Sequence, residues 1–128
     1  MKTLIQEAIG LLDRLIATHS VSRDEAATAD IVEAFLKAHV KGEVKRIHNN
    51  VYVRTPLWDD TRPTLFMNSH HDTVKPSASY TRNPYEPTHE EGRIYGLGSN
   101  DAGASVVSLI AAYRYMEMQE LPYNMLLA

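Results

Sequence analysis

The sequence contains no cysteine among its 128 residues. Disulfides, thiolate metal sites and a cysteine nucleophile are therefore excluded, and nothing indicates an oxidising compartment. The chain also lacks a basic cluster, since 13 Lys and Arg against 16 Asp and Glu give a net charge of -3 and both signs are spread along it. This distribution argues against nucleic acid or a membrane surface as a partner.

Long apolar runs are missing as well. The amino-terminal stretch is rich in apolar residues, but Gln6, Glu7, Asp13 and Arg14 interrupt it. It therefore fits neither a signal peptide nor a membrane span, and we expect a cytoplasmic protein without a membrane partner. The 44% hydrophobic and 23% charged residues are those of an ordinary globular protein. The length favours a single domain.

The period of the apolar residues alternates between helical and extended. Helical spacing covers about 1–20, 22–41 and 102–119, and Ser22-Arg23-Asp24-Glu25 has the form of a capping box for the second helix. Asn49-Asn50 separates two β-prone runs and predicts a hairpin. This alternation predicts an α/β sandwich. Further strands are expected at Thr64 to Ser69 as a buried central strand, at 93–95 and at 123–128, with a long ordered loop over 74–92.

Two histidines and an aspartate follow the predicted central strand. In an extended chain His70 and Asp72 lie on one side and His71 on the other. The carboxyl edge of an open α/β sheet is where ligands usually bind. An imidazole with a nearby carboxylate is a common metal-site pair, although His-x-Asp alone has low specificity.

A second cluster, Gly96-Leu97-Gly98-Ser99-Asn100-Asp101, lies at a predicted strand-to-helix junction. Glycines allow a tight turn there. A purely structural role is also open to Asp101, because a negative charge at the start of a helix is favourable and the residue could act as a helix cap. A dinucleotide loop is disfavoured because Asp101 stands where the third glycine would be and would repel a pyrophosphate.

Together, "SHHDTV" and "GLGSNDAGA" resemble the two motifs of the two-zinc amidohydrolase and exopeptidase family. That family includes acetylornithine deacetylase, succinyl-diaminopimelate desuccinylase, aminoacylase and glutamate carboxypeptidases. The resemblance runs over residues 1–128 and is strongest for the acetylornithine deacetylase branch. It implies a three-layer α/β sandwich with a mixed central sheet, of which residues 1–128 would be the amino-terminal part of the metal-binding catalytic domain, with the lid or dimerisation domain absent.

The resemblance also implies roles for individual residues. His70 would bind one metal, Asp101 would bridge two, and Asp72 would be the catalytic-site carboxylate beside His70. The cofactor would be zinc, two ions per complete site, with cobalt as an alternative, and the substrate a small N-acyl amino acid. The peptide bond after Asp101 is expected to be cis. Leu97 departs from the family's arginine, which leaves the ligands intact.

His70 and Asp101 alone fall short of the three protein ligands that a catalytic zinc normally has. We therefore expect an amino-terminal fragment that binds zinc weakly, if at all, and is inactive by itself, with an exposed strand edge that could cause self-association. Two alternatives are weighed against this interpretation. One is a His-Asp phosphohydrolase using His71-Asp72, which the strand before the doublet disfavours, and the other is a non-catalytic interaction module.

Overall fold

The helices and strands follow the predicted alternation in a computed structural model that describes residues 1–128 throughout. Its elements are α1 Lys2–Ile16, α2 Ala26–His39, β1 Glu43–Ile47, β2 Asn50–Arg54, β3 Thr64–Met67, β4 Thr88–Glu90, β5 Arg93–Tyr95, a π-helical turn Ser99–Gly103, α3 Ala104–Met116 and β6 Asn124–Leu127. The hairpin of β4 and β5 lies within the stretch predicted as a loop with one strand, so β4 was missed. No helix is long and apolar enough to span a membrane.

Four strands form the main sheet in the order β1-β2-β6-β3. The pairs β1–β2 and β2–β6 are antiparallel, whereas β3 runs parallel to β6. The predicted α/β class with a mixed sheet is confirmed. The prediction that Thr64 to Ser69 is a buried central strand was wrong, because β3 is an edge strand in which Leu65 and Phe66 are exposed. An apolar run cannot by itself distinguish an edge strand from a central one, because strand order depends on residues far along the chain.

One face of the sheet carries the hydrophobic core. All three helices contribute to a single buried cluster with the inward side chains of β2, β3 and β6, among them Leu11, Leu36, Val53, Ile110, Tyr113 and Met125. The opposite face is open, and Phe66 is 58% exposed there. Residues 1–128 thus form the sheet and one helical layer of the predicted three-layer sandwich. Replacing a fully buried Leu or Ile of this cluster by Ala would lower the free energy of unfolding by about 2–5 kcal/mol.

The start of α2 differs from the predicted capping box. Ser22 is not the cap: the helix begins at Ala26, Glu25 occupies the N-cap position, and no side chain caps it. The chain at Arg23 has a left-handed φ of 77°, which is incompatible with a box that continues directly into the helix. A side-chain cap contributes about 0.5–2 kcal/mol to helix stability. The Ser22 hydroxyl does not make this local contact and bonds to Asp72 instead.

Candidate metal centre

The end of β3 delivers His70 and Asp72 to the carboxyl edge of the sheet. Pairing with β6 continues past Met67, since Ala128 N–H donates to the Met67 carbonyl at 2.9 Å and Ser69 N–H donates to the Ala128 carbonyl at 3.1 Å. After this point the chain leaves the sheet. The edge at which the sequence predicted a site is therefore the place where these side chains lie.

His70 contacts two carboxylates through its two ring nitrogens. Nδ1 lies 3.1 Å from Asp72 Oδ1, and Nε2 lies 3.1 Å from Asp101 Oδ1. The His70 side chain is 55% exposed, Asp72 35% and Asp101 86%, so the Asp101 side of the imidazole faces solvent. The structure thus brings together the three residues that the sequence singled out, although they come from two segments about thirty residues apart.

Asp101 is positioned by the tight turn that follows β5. Gly98 has a left-handed φ of 74°, and its carbonyl accepts a hydrogen bond from Gly103 N–H at 2.8 Å. Asp101 itself has an extended backbone, with φ -118° and ψ 96°, so it projects out of the helical path before α3 begins. The Asp101–Ala102 peptide bond is cis, as the family resemblance implied.

His71 points away from this pair, as the alternation of an extended chain predicts. Its Nδ1 lies 2.8 Å from Thr28 Oγ1, and its Nε2 donates to the Asn49 carbonyl at 3.0 Å. The imidazole therefore links α2 to the β1–β2 hairpin. Both ring nitrogens of His71 are occupied by protein partners, and the His71-Asp72 doublet follows strand β3. The structure therefore does not support the His71-Asp72 phosphohydrolase alternative.

Sequence reasoning missed the role of Ser22. Its hydroxyl donates a hydrogen bond to Asp72 Oδ2, while Asp72 Oδ1 faces His70. The hydrogen bond from Ser22, together with the nearby His70 imidazole, holds the pKa of the Asp72 carboxyl below its ordinary value. No local sequence signal indicates this contact, because Ser22 and Asp72 are fifty residues apart and "SxxE" indicates a helix cap instead.

The donor atoms fit part of a metal site. Two ligand atoms of one tetrahedral zinc, each about 2.0–2.2 Å from it, lie roughly 3.4 Å apart, and His70 Nε2 and Asp101 Oδ1 are 3.1 Å apart. Imidazole nitrogen and carboxylate oxygen are also donor types that zinc accepts. However, residues 1–128 contain no group of three or more His, Cys, Asp or Glu side chains that could hold a metal ion. The two predicted ligands, His70 and Asp101, are fewer than the three protein ligands that a catalytic zinc normally has.

Two hollows flank His70 and Asp72. One, of about 150 Å³, lies between α2, β2 and α3 and is largely apolar. The other, of about 330 Å³, is an open groove bordered by Ser22, Tyr80 and Asp101. Only the second hollow contains both predicted metal ligands, so it is the one in which a polar small molecule could reach them.

Comparison with known proteins identifies this arrangement. Residues 66–127, which contain His70, Asp72 and Asp101, match the model of peptidase family M20/M25/M40. Residues 66–127 are thus similar to part of an M20 peptidase domain. The family resemblance inferred from the two motifs is therefore confirmed.

Curated relatives cover most of the chain but are much longer. A probable carboxypeptidase of Aspergillus clavatus is 37% identical over 105 residues, which are 77% of this chain and 23% of that protein. A succinyl-diaminopimelate desuccinylase of Sulfurovum sp. is 27% identical over 110 residues, covering 85% of this chain and 29% of that protein. The chain thus spans about a quarter of the length of these relatives, and the acetylornithine deacetylase branch stays a prediction.

Solved structures share the fold. The YXEP protein of Bacillus subtilis, described as a dinuclear metal-binding peptidase of the M20 family, superposes with a TM-score of 0.69 at 16% identity. The match covers 98% of this chain and 34% of that one. The fold of residues 1–128 is therefore that of part of an M20 catalytic domain.

Proposed function

We propose that residues 1–128 form the part of a metal-dependent amide hydrolase that carries the His70 and Asp101 ligands. The observation that carries the proposal is the 3.1 Å contact between His70 Nε2 and the Asp101 carboxylate, made by two motifs from separate segments. The M20 match over 66–127 and the dinuclear metal peptidase with the same fold support it. The proposed metal is zinc, with cobalt as a substitute, because His70 and Asp101 offer imidazole and carboxylate donors and zinc accepts both.

Bound at these ligands, two metal ions would lower the pKa of a water and stabilise developing oxygen charge. The residues of the chain act around that chemistry. His70 binds through Nε2, since Nδ1 is turned toward Asp72. Asp72 accepts a hydrogen bond from Nδ1–H and thereby fixes the ring orientation and tautomer, which is the usual task of a carboxylate behind a metal-bound histidine. Asp101, with 86% of its side chain exposed, has room to bridge two cations.

The proposed substrate is a small N-acyl amino acid of the acetylornithine type. The open groove beside Asp101 has the polar border and small volume that such a molecule needs. The names of the relatives suggest two competing substrates, an N-succinyl amino acid and a peptide with a free carboxyl end. In all three candidate substrates the bond to be hydrolysed is an amide.

The test is an assay of the protein produced from the complete reading frame that encodes these residues, loaded with zinc or cobalt. Acetylornithine, succinyl-diaminopimelate and a dipeptide are compared as substrates. Replacement of His70 or Asp101 by Ala is expected to reduce turnover by at least the roughly 10- to 100-fold that is typical when a partner of a metal ligand is lost. The matched control is His89→Ala, which removes another imidazole–carboxylate pair, His89 with Asp13 at 2.8 Å. Absence of turnover on all three substrates, or equal losses in the control, would contradict the proposal.

A further inference from the structure

We propose that Ser22 is a positioning residue for the metal centre: its hydroxyl fixes the Asp72 carboxylate, which in turn presents His70 Nε2 to the metal. The inference rests on the proposed function for its metal-binding consequence only. The hydrogen-bonded series is direct, since Ser22 Oγ donates to Asp72 Oδ2 and His70 Nδ1 lies 3.1 Å from Asp72 Oδ1. Each carboxylate oxygen thus has its own partner, and the carboxylate cannot rotate without breaking one contact.

The backbone at Ser22 and the two residues before it is held independently of the Ser22 hydroxyl. Ser22 N–H donates to the Thr73 carbonyl at 3.1 Å, and Thr73 N–H donates to the Ser20 carbonyl at 2.8 Å. Residue 21 forms an isolated parallel bridge with Thr73. The connection between α1 and α2 therefore lies along the segment that follows Asp72 whether or not the hydroxyl is present. The hydroxyl is left free to act on the carboxylate, and its other contact, with the Thr73 carbonyl, is long at 3.5 Å.

Ser22 also does not make the helix-capping contact that its local sequence favours. Ser22 with Glu25 three residues later is a favourable capping sequence, yet the start of α2 has no side-chain cap. Local preferences that fail in a folded protein tend to fail at functional sites. The redirected hydroxyl reaches the carboxylate of Asp72, which faces His70 Nδ1.

The consequence can be measured on the imidazole itself, without a metal. A neutral His70 carries one ring proton, which it donates either from Nδ1 to Asp72 or from Nε2 to Asp101. Because Asp101 is 86% exposed and Asp72 only 35% exposed, water competes more strongly for the Asp101 contact. With Ser22 holding Asp72, the Nδ1–H tautomer is favoured, and this is the tautomer that leaves Nε2 free to bind a metal.

The experiment is long-range nitrogen–proton NMR of the histidine rings in the 128-residue chain at pH 8. We expect His70 in the Nδ1–H form, and in Ser22→Ala a fall of the Nδ1–H to Nε2–H ratio by about two- to tenfold, the effect of one hydrogen bond of ordinary net strength. Ser22→Thr keeps a hydroxyl and should restore the ratio. Ser77→Ala removes a hydroxyl that pairs with Ser79 at 2.8 Å, away from the site, and should leave it unchanged.

An unchanged His70 tautomer ratio in a folded Ser22→Ala chain would overturn the proposal. Should Ser22→Ala fail to fold, Ser22→Cys keeps the shape with a weak donor, and the same shift is expected. In the protein produced from the complete reading frame that encodes these residues, zinc affinity, measured by competition with a chelating dye, should fall by the same two- to tenfold and recover in Ser22→Thr. A tautomer shift without zinc binding in any variant would leave the positioning role standing and contradict the proposed function instead.

Discussion

Replacing Gly98 by Ala tests how tightly the turn before Asp101 is built. Gly98 has a φ of +74°, and a Cβ added there would lie 2.7 Å from Thr73 Cγ2. The left-handed backbone costs a non-glycine residue about 1–2 kcal/mol, and overpacking typically costs a further 1–3 kcal/mol. We therefore expect Gly98→Ala to lower the free energy of unfolding by about 2–5 kcal/mol, measured by urea denaturation with circular dichroism.

The chain supplies a control that separates these two contributions. Gly92 has nearly the same φ, +75°, but nothing lies within 4 Å of an added Cβ. Gly92→Ala should therefore lose only the backbone part, about 1–2 kcal/mol. Thr73→Ser removes the clashing methyl group, so Gly98→Ala in that background should approach the Gly92→Ala value. Equal losses for the two alanine variants in the wild-type background would refute the reasoning that Thr73 and Gly98 are in close contact.

Three further predictions concern the rest of the fold. His71→Ala removes two hydrogen bonds that link α2 and the β1–β2 hairpin, and should lower the free energy of unfolding by about 1–3 kcal/mol; a loss within error of zero would contradict the bridging role. The lowered pKa of Asp72 stabilises the fold above the ordinary carboxyl pKa and is lost as the pH falls through the folded value. The stability advantage of the wild type over Asp72→Asn should therefore shrink progressively as the pH falls below about 4, and acid titration of both chains checks this; a constant difference would be evidence against it. The open edge and face of β3 should promote self-association that Phe66→Lys reduces, whereas a wild-type chain that elutes as a monomer at every concentration would argue against it.

Much of the fold could be predicted because it depends on local periodicity. The three helices, the hairpin and the strands at 64–67 and 124–127 follow directly from apolar spacing. What failed depends on distant partners. In α1, Ile5 and Ile9 continue the helical apolar spacing but are exposed, whereas Leu11 is only 1% exposed. The face a helix buries is set by what it packs against, which spacing within the helix cannot determine.

The candidate site likewise has residues that the sequence pointed to and one that it did not. His70, Asp72 and Asp101 were identifiable because two spaced motifs and a family resemblance pointed to them, and the structure brings them together. Ser22 was interpreted as a helix cap because only its neighbours in sequence were visible. Its actual partner lies fifty residues away. Long-range polar contacts of this kind have no signature in a single sequence.

The central claim is that His70 and Asp101 hold the same metal ion. It is tested most directly by anomalous diffraction at the zinc edge from zinc-soaked crystals of the protein produced from the complete reading frame that encodes these residues. We predict a peak with His70 Nε2 and an Asp101 carboxylate oxygen both within about 2.0–2.2 Å. Zinc bound only elsewhere, for example at the His89–Asp13 pair, with His70 and Asp101 still in contact only with each other, would contradict the account.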